Sequence, residues 1–212
     1  MTGLQKTVSL CLAFVVIVLG MLVYSVTRTP PLSLEQLRER DVTVFPRPRE
    51  IAPFSLLAHN GEPFELADLV GSWSFIFFGF TNCPDICPTT LSVLAQAERL
   101  INQGNSEYES GFKGVLITVD PERDDIATLG RYVSAFSANF IGVGGESGDL
   151  ARLARQLHVA FAKLPGAEES YQVTHSTHIV IVNPMGHYHG FIKMPHQVDT
   201  VVLTYRSLAA SF

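Results

Sequence analysis

Trp73-Ser-Phe-Ile-Phe-Phe-Gly-Phe80, running straight into Thr81-Asn-Cys-Pro-Asp-Ile-Cys-Pro88, is the stretch that decides the fold. Its first half is short, aromatic and uncharged, as a strand buried on both faces must be. Its second half breaks the strand and leads into apolar residues at helical spacing, Leu91, Leu94, Ala95 and Leu100, as far as Gly104. Pro88 suits the first position of that helix, where its missing N–H would be unpaired anyway. Cys83 and Cys87 therefore stand at a strand–helix junction, four residues apart, and share one side if the residues between them are helical.

Outward from this point the chain alternates. Val115-Leu-Ile-Thr-Val119 reads as a second buried strand ending at Asp120-Pro-Glu-Arg-Asp124. A helix over 125–137, a short strand near Phe140-Ile-Gly-Val143 and a helix over 149–158 follow. Ile179-Val-Ile-Val182 and residues 188–192 form a hairpin joined at Asn183-Pro-Met-Gly186, and 196–212 a final helix. Upstream, Phe54-Ser-Leu-Leu57, a turn at Asn60-Gly61 and Pro63-Phe64 read as another hairpin. Pro46, Pro48 and Pro53 punctuate short extended pieces, and Ser33-x-x-Gln36 is a capping box before a brief helix over 34–40. Strand–helix alternation predicts an α/β sandwich with parallel strands. With a closing hairpin and terminal helix, the expectation is a thioredoxin-like fold with an added N-terminal hairpin, preceded by one transmembrane helix.

That helix is read from residues 7–27, uncharged between Lys6 and Arg28. About 20 apolar helical residues cross a ~30 Å hydrocarbon core. The rival is a cleaved signal peptide, whose apolar region is shorter and is followed by a small-residue cleavage site that this chain lacks. Cys11 follows Leu10 rather than a small residue, which speaks against lipidation. The expected organisation is a head at 1–6, a transmembrane anchor at 7–27, a stalk at 28–41 and one domain at 42–212. Lys6 precedes the anchor while Arg28, Arg38, Arg40 and Arg47 follow it, so the positive-inside rule does not place the amino terminus inside.

The net charge of −5 over 212 residues argues against a nucleic-acid partner, which calls for a basic face. Of three cysteines, Cys11 lies in the anchor, and one remaining pair is too few for a disulfide scaffold. The pair reads as redox or metal chemistry. A helix N-terminus favours thiolate, the form that both disulfide exchange and metal binding require. Copper(I) is soft and takes thiolate sulfur at low coordination number, so two thiolates and one imidazole make a three-ligand site. A purely structural disulfide across so short a loop would remove little chain entropy. Disulfide-capable chemistry belongs outside the reducing cytoplasm, and no Arg- and Ser-rich presequence precedes the anchor.

Gly79-Phe-Thr-Asn-Cys-Pro-Asp-Ile-Cys-Pro88, Val119-Asp-Pro-Glu-Arg-Asp124 and Tyr171-x-Val-x-His175-Ser together resemble the signatures of the Sco/SenC family. These are copper chaperones for the dicopper centre of cytochrome c oxidase. The resemblance runs from the first hairpin to the final helix. It implies that Cys83, Cys87 and His175 ligate one copper ion, Cu(I) or Cu(II), that Cys83 and Cys87 form a redox disulfide, and that Asp120 lies near the metal without binding it. It implies a metallochaperone rather than an enzyme, with cytochrome c oxidase subunit II or another copper-site protein as partner. The implied location is a bacterial inner membrane, crossed once, with the domain facing the periplasm. Two positions depart from the family pattern: Thr174 stands where an aspartate is common before the histidine, and Met185 where one often fills the Asn-Pro-x-Gly turn.

Without the resemblance His175 and His178 are evenly matched as third ligand, since three residues apart in extended chain they point to opposite faces; the resemblance selects His175. His187 and His189, with Met185, Met194 and His196, form a loose set of copper-compatible side chains, and the ordinary polar strand face is preferred. His59 and His158 read as surface residues. Asp124 reads as a helix cap and, apart from the resemblance, Asp120 as closing a turn before Pro121. Two other functions compete. A thiol–disulfide reductase that keeps a metal-receiving partner's cysteines reduced fits the same fold and pair. A peroxidase fits poorly, because Thr81 lies two residues before Cys83 rather than three.

Overall fold

The computed structural model describes residues 3–27, 31–103, 111–164 and 171–212, and for 4, 6 and 23–27 it describes the backbone alone. Parts of the expected head and stalk, and the expected helix stop at Gly104, lie outside the described residues. The chain forms two compact units, Met1–Pro31 and Leu32–Phe212.

The first unit is helix α1, Gly3–Thr27, whose described side chains from Val8 to Leu22 are solvent-exposed. Among the described residues no helix is long and apolar enough to cross a membrane.

The second unit opens with the short helix α2, Leu34–Arg38, whose capping box is formed as expected: Ser33 and Gln36 satisfy each other's backbone N–H. Leu37 is buried, so this helix belongs to the core of the unit. An eight-stranded sheet follows, in the order β1-β10-β9-β4-β5-β6-β2-β3. Its strands are β1 (Val42–Arg49), β2 (Ser55–Ala58), β3 (Pro63–Glu65), β4 (Ser72–Gly79), β5 (Gly111–Thr118), β6 (Ile141–Gly144), β9 (Ile179–Val182) and β10 (Tyr188–Ile192). The helices are α3 (Ile86–Gln103), α4 (Ile126–Ser134), α5 (Ser147–Gln156) and α6 (Val198–Ala210). Strands β7 (Phe161–Leu164) and β8 (Gln172–His175) stand apart as a two-stranded sheet.

Strand β4 is central, parallel to β5 and antiparallel to β9, and all its residues after Ser72 are buried. Covered on both faces, it must be apolar throughout rather than alternating. Phe75 stacks on Phe112, which meets Tyr205 of α6 edge-on. Full burial of one such side chain contributes roughly 1.5–3 kcal/mol, so this strand anchors the core. The parallel run β4–β5–β6, the β9–β10 hairpin and closing α6 make the thioredoxin arrangement that the alternation predicts. The β2–β3 hairpin also forms as read: Gly61 takes φ 86, and Asn60 Oδ1 accepts the Glu62 N–H at 3.0 Å.

Three features go beyond the sequence reading. The proline-bearing segment at 42–49 is an edge strand, β1, a position where an absent N–H breaks no internal ladder. The β7–β8 pair was not anticipated, because its four-residue strands are too short to carry a clear period. His175 ends β8, and β9 begins only at Ile179.

Sheet geometry also tightens at Gly190. A Cβ there would lie 2.1 Å from the Thr43 carbonyl oxygen across the β1–β10 pair. Since the obstacle is backbone, Gly190→Ala should lower stability by about 3 kcal/mol. Gly111→Ala, which meets nothing within 4 Å, should stay within about 0.5 kcal/mol of the parent. Urea unfolding monitored by the fluorescence of buried Trp73 measures both.

Candidate metal centre

The cysteine loop leaves β4 at Gly79 and enters α3 at Ile86. Gly79 is required by close packing, since a Cβ there would stand 2.9 Å from Cys87 Sγ. Helix α3 begins two residues earlier than expected, so Pro88 is its third residue, still within the first turn where N–H groups have no intrahelical partner. Cys83 is half-buried and its Sγ accepts the Cys87 backbone N–H at 3.4 Å. Cys87 is fully buried in the first turn of the helix. Both are free thiols.

The two sulfurs and the His175 ring are the one group of potential metal ligands found among the described residues, with one donor atom from each lying within 4.8 Å of the others. His175 Nε2 stands 3.8 Å from Cys87 Sγ. Its Nδ1 lies 2.9 Å from the Ser176 carbonyl oxygen, which can only accept, so Nδ1 carries the proton and Nε2 presents its lone pair to the sulfurs. The rings of Phe77 and Phe80 make T-shaped contacts with the imidazole, at 5.7 and 5.9 Å between centroids. Burial lowers the pKa of His175 and keeps the imidazole neutral, as a metal ligand must be.

Burial acts oppositely on the thiol. It pushes the Cys87 pKa up strongly, helped by the neighbouring Cys83 sulfur. The sequence led us to expect a helix N-terminus to favour thiolate; at Cys87 desolvation outweighs that effect. Burial therefore favours the protonated Cys87 thiol, and a soft cation binding its sulfur must displace that proton.

The segment after β5 secures both halves of the site. Asp124, 3% exposed, accepts from Thr81 N at 3.0 Å, Thr81 Oγ1 at 2.5 Å and Thr118 Oγ1 at 2.7 Å, and so holds the start of the cysteine loop. It is not the helix cap expected from sequence. That role falls to Asp125, whose carboxylate accepts the Thr128 N–H at 2.6 Å at the start of α4. Asp120 is also buried, and its partners are Tyr171 and Arg123 rather than the sulfurs.

The remaining histidines lie elsewhere. His178 packs on Phe191, bonds the Leu157 carbonyl and does not join the sulfur group. His189 packs edge-on to Trp73 and lies 3.2 Å from Asn183 Nδ2. The turn carrying Met185 is organised by Asn183 Oδ1, which accepts from Met185 N and His187 N, so it forms without an aspartate. His196 lies behind the cysteine helix with Nδ1 3.0 Å from Thr90 Oγ1, and burial lowers its pKa to about 4. His59, read as a surface residue, is half-buried and accepts the Gly142 N–H at 3.1 Å.

The family model described as SCO1/SenC matches residues 45–210. A protein of Stutzerimonas stutzeri is 39% identical over 173 residues, covering 80% of this chain and 83% of its own length. The mitochondrial SCO2 homolog of Mus musculus is 37% identical over 163 residues, 75% of this chain and 62% of the mouse protein. Among solved structures, Arabidopsis thaliana ScoI with copper bound is 33% identical with a TM-score of 0.66, covering 71% of this chain and 92% of its own. Yeast Sco1 with copper bound gives a TM-score of 0.70 at 29% identity, covering 78% and 91%.

Removing the Asp124 carboxylate would strand the Thr81 N–H and two hydroxyls in a largely buried setting. Asp124→Ala should therefore cost about 3 kcal/mol in urea unfolding. Asp125→Ala, at an exposed helix start, should cost clearly less. An equal cost for the two substitutions would restore the capping role to Asp124.

Proposed function

The chain belongs to the SCO1/SenC family, and on that premise we propose that it is a membrane-anchored copper chaperone that binds one copper ion through Cys83, Cys87 and His175. The observation that carries this reading is the convergence of two sulfurs and a neutral imidazole within 4.8 Å of one another. Two thiolates suit copper(I), and the added imidazole nitrogen suits copper(II), so one site serves either oxidation state. The related ScoI and Sco1 structures hold copper.

The cargo is destined for the dicopper site of cytochrome c oxidase, on subunit II, or for another copper-site protein. Residues 7–27 of α1 anchor the chain in a bacterial inner membrane, crossed once, and the domain that follows faces the periplasm. Such a compartment permits the Cys83–Cys87 disulfide to form, and that disulfide gates copper binding because both sulfurs must be thiolates to ligate.

Reduced protein should take up one copper per chain, and the disulfide form far less, when titrated under anaerobic conditions. His175→Ala should abolish the sulfur-to-copper(II) charge-transfer band and weaken copper(I) binding only in part, while His178→Ala leaves the band in place. A band that survives His175→Ala and disappears with His178→Ala would move the third ligand. Reductase activity that persists in His175→Ala, with no copper requirement in cells, would favour the thiol–disulfide reductase instead.

The anchor has its own test. The protein should remain in membranes after alkaline carbonate washing and keep its amino terminus. A mainly soluble product lacking the apolar run would show that the run is a cleaved signal.

A further inference from the structure

Among the described residues, strands β7 and β8 pair only with each other, four residues against four, with Phe161 opposite His175. A two-stranded ribbon of this size is marginal by itself in water, so its placement must come from side chains. Phe161 and Val173 lean on the core. The end remote from His175 is fastened differently, through Tyr171. Its hydroxyl donates to Asp120 Oδ1 at 2.5 Å, and Arg123 Nε pairs with the other oxygen of the same carboxylate. Arg123 Nη1 also donates to the Tyr171 carbonyl at 3.3 Å.

The Arg123 guanidinium lies 4.0 Å from the centroid of the Tyr171 ring and 5.9 Å from that of Phe80, which makes a T-shaped contact with His175. Across the ribbon, Lys163 sits 3.6 Å from the Tyr171 ring centroid and pairs with Glu122 at 2.6 Å. Tyr171, Val173 and His175 are two residues apart in extended chain and share one face, so fastening Tyr171 orients the face that carries the imidazole. Asp120 is 4% exposed, and loss of the phenol donor would leave a buried carboxylate oxygen without that partner.

We infer that Tyr171 is a positioning residue for His175: with Asp120 and Arg123 it latches the β7–β8 ribbon to segment 120–124, and the closed latch keeps the imidazole beside the two sulfurs. The ligand role of His175 rests on the function proposed above; the latch itself is a property of the metal-free fold. Opening it removes the nitrogen donor while leaving both sulfurs in place on the cysteine loop and α3. The latch therefore governs the copper(II) site more than the copper(I) site.

Tyr171→Phe keeps the ring under Arg123 and Lys163 and deletes only the hydroxyl. In the reduced, metal-free full chain, amide hydrogen exchange over 171–176 should accelerate about tenfold, with β4 and β9 unchanged. Copper(II) affinity should fall about tenfold with a weaker charge-transfer band, while copper(I) affinity stays within about threefold of the parent. Asp120→Asn, which still offers the phenol an acceptor, should fall between Tyr171→Phe and the parent. Exchange over 171–176 within about twofold of the parent would overturn the latch, as would acceleration spread across the whole sheet. His175→Ala, run alongside, separates the two ideas. If it keeps the copper(II) band, the proposed ligand set fails, and hydrogen exchange still decides whether the latch exists.

Discussion

The Asp124 carboxylate, buried at the end of β5 and bonded to Thr81 and Thr118, is the contact on which the metal centre most depends. A charge in that position is costly unless every oxygen is engaged, and here three donors engage it. Two of those donors belong to Thr81, two residues before Cys83, so satisfying the carboxylate also sets where the cysteine loop begins. Four residues earlier, Asp120 performs the matching task for the ribbon that ends in His175. One short segment after a central strand thus holds both halves of a site whose buried sulfur and imidazole stand 88 residues apart in sequence.

Burial then sets the chemistry. The same exclusion of water that raises the Cys87 pKa lowers that of His175. Charge is disfavoured on both groups, which favours a thiol at Cys87 and a neutral imidazole at His175. A soft cation reverses the balance, since it neutralises the thiolates it creates and accepts the lone pair already aimed at it. The rings of Phe77 and Phe80 beside the imidazole bring no competing donors, and the two sulfurs and the imidazole are the ligand group found among the described residues.

Legibility followed the range of the forces involved. Strand β4 announced itself because a strand covered on both faces must be apolar at nearly every position, and the β2–β3 turn because Asn60-Gly61 has few other uses. The β7–β8 ribbon stayed hidden: its strands are short, and burial on its exposed side is low. Yet a trace was present, since Tyr171, Val173 and His175 alternate with polar Gln172 and Thr174 as a half-buried strand requires. Asp124 and Asp125 show the opposite case. By sequence Asp124 reads as the cap of α4, but Thr81 and Thr118 engage its carboxylate and leave the cap to Asp125.

The sequence by itself determined the α/β class, the strand–helix junction holding Cys83 and Cys87, and the apolar run at 7–27, because periodicity, apolarity and turn chemistry are local properties of a chain. Tertiary structure decided which histidine joins the sulfurs, that desolvation outweighs the helix N-terminus at Cys87, and that Tyr171 and Arg123 hold the ribbon. Those outcomes depend on groups far apart in sequence, such as Cys87 and His175, 88 residues from one another. No local pattern encodes such a distance; it exists only once β4, β5 and β9 have paired and brought the ends of their loops together.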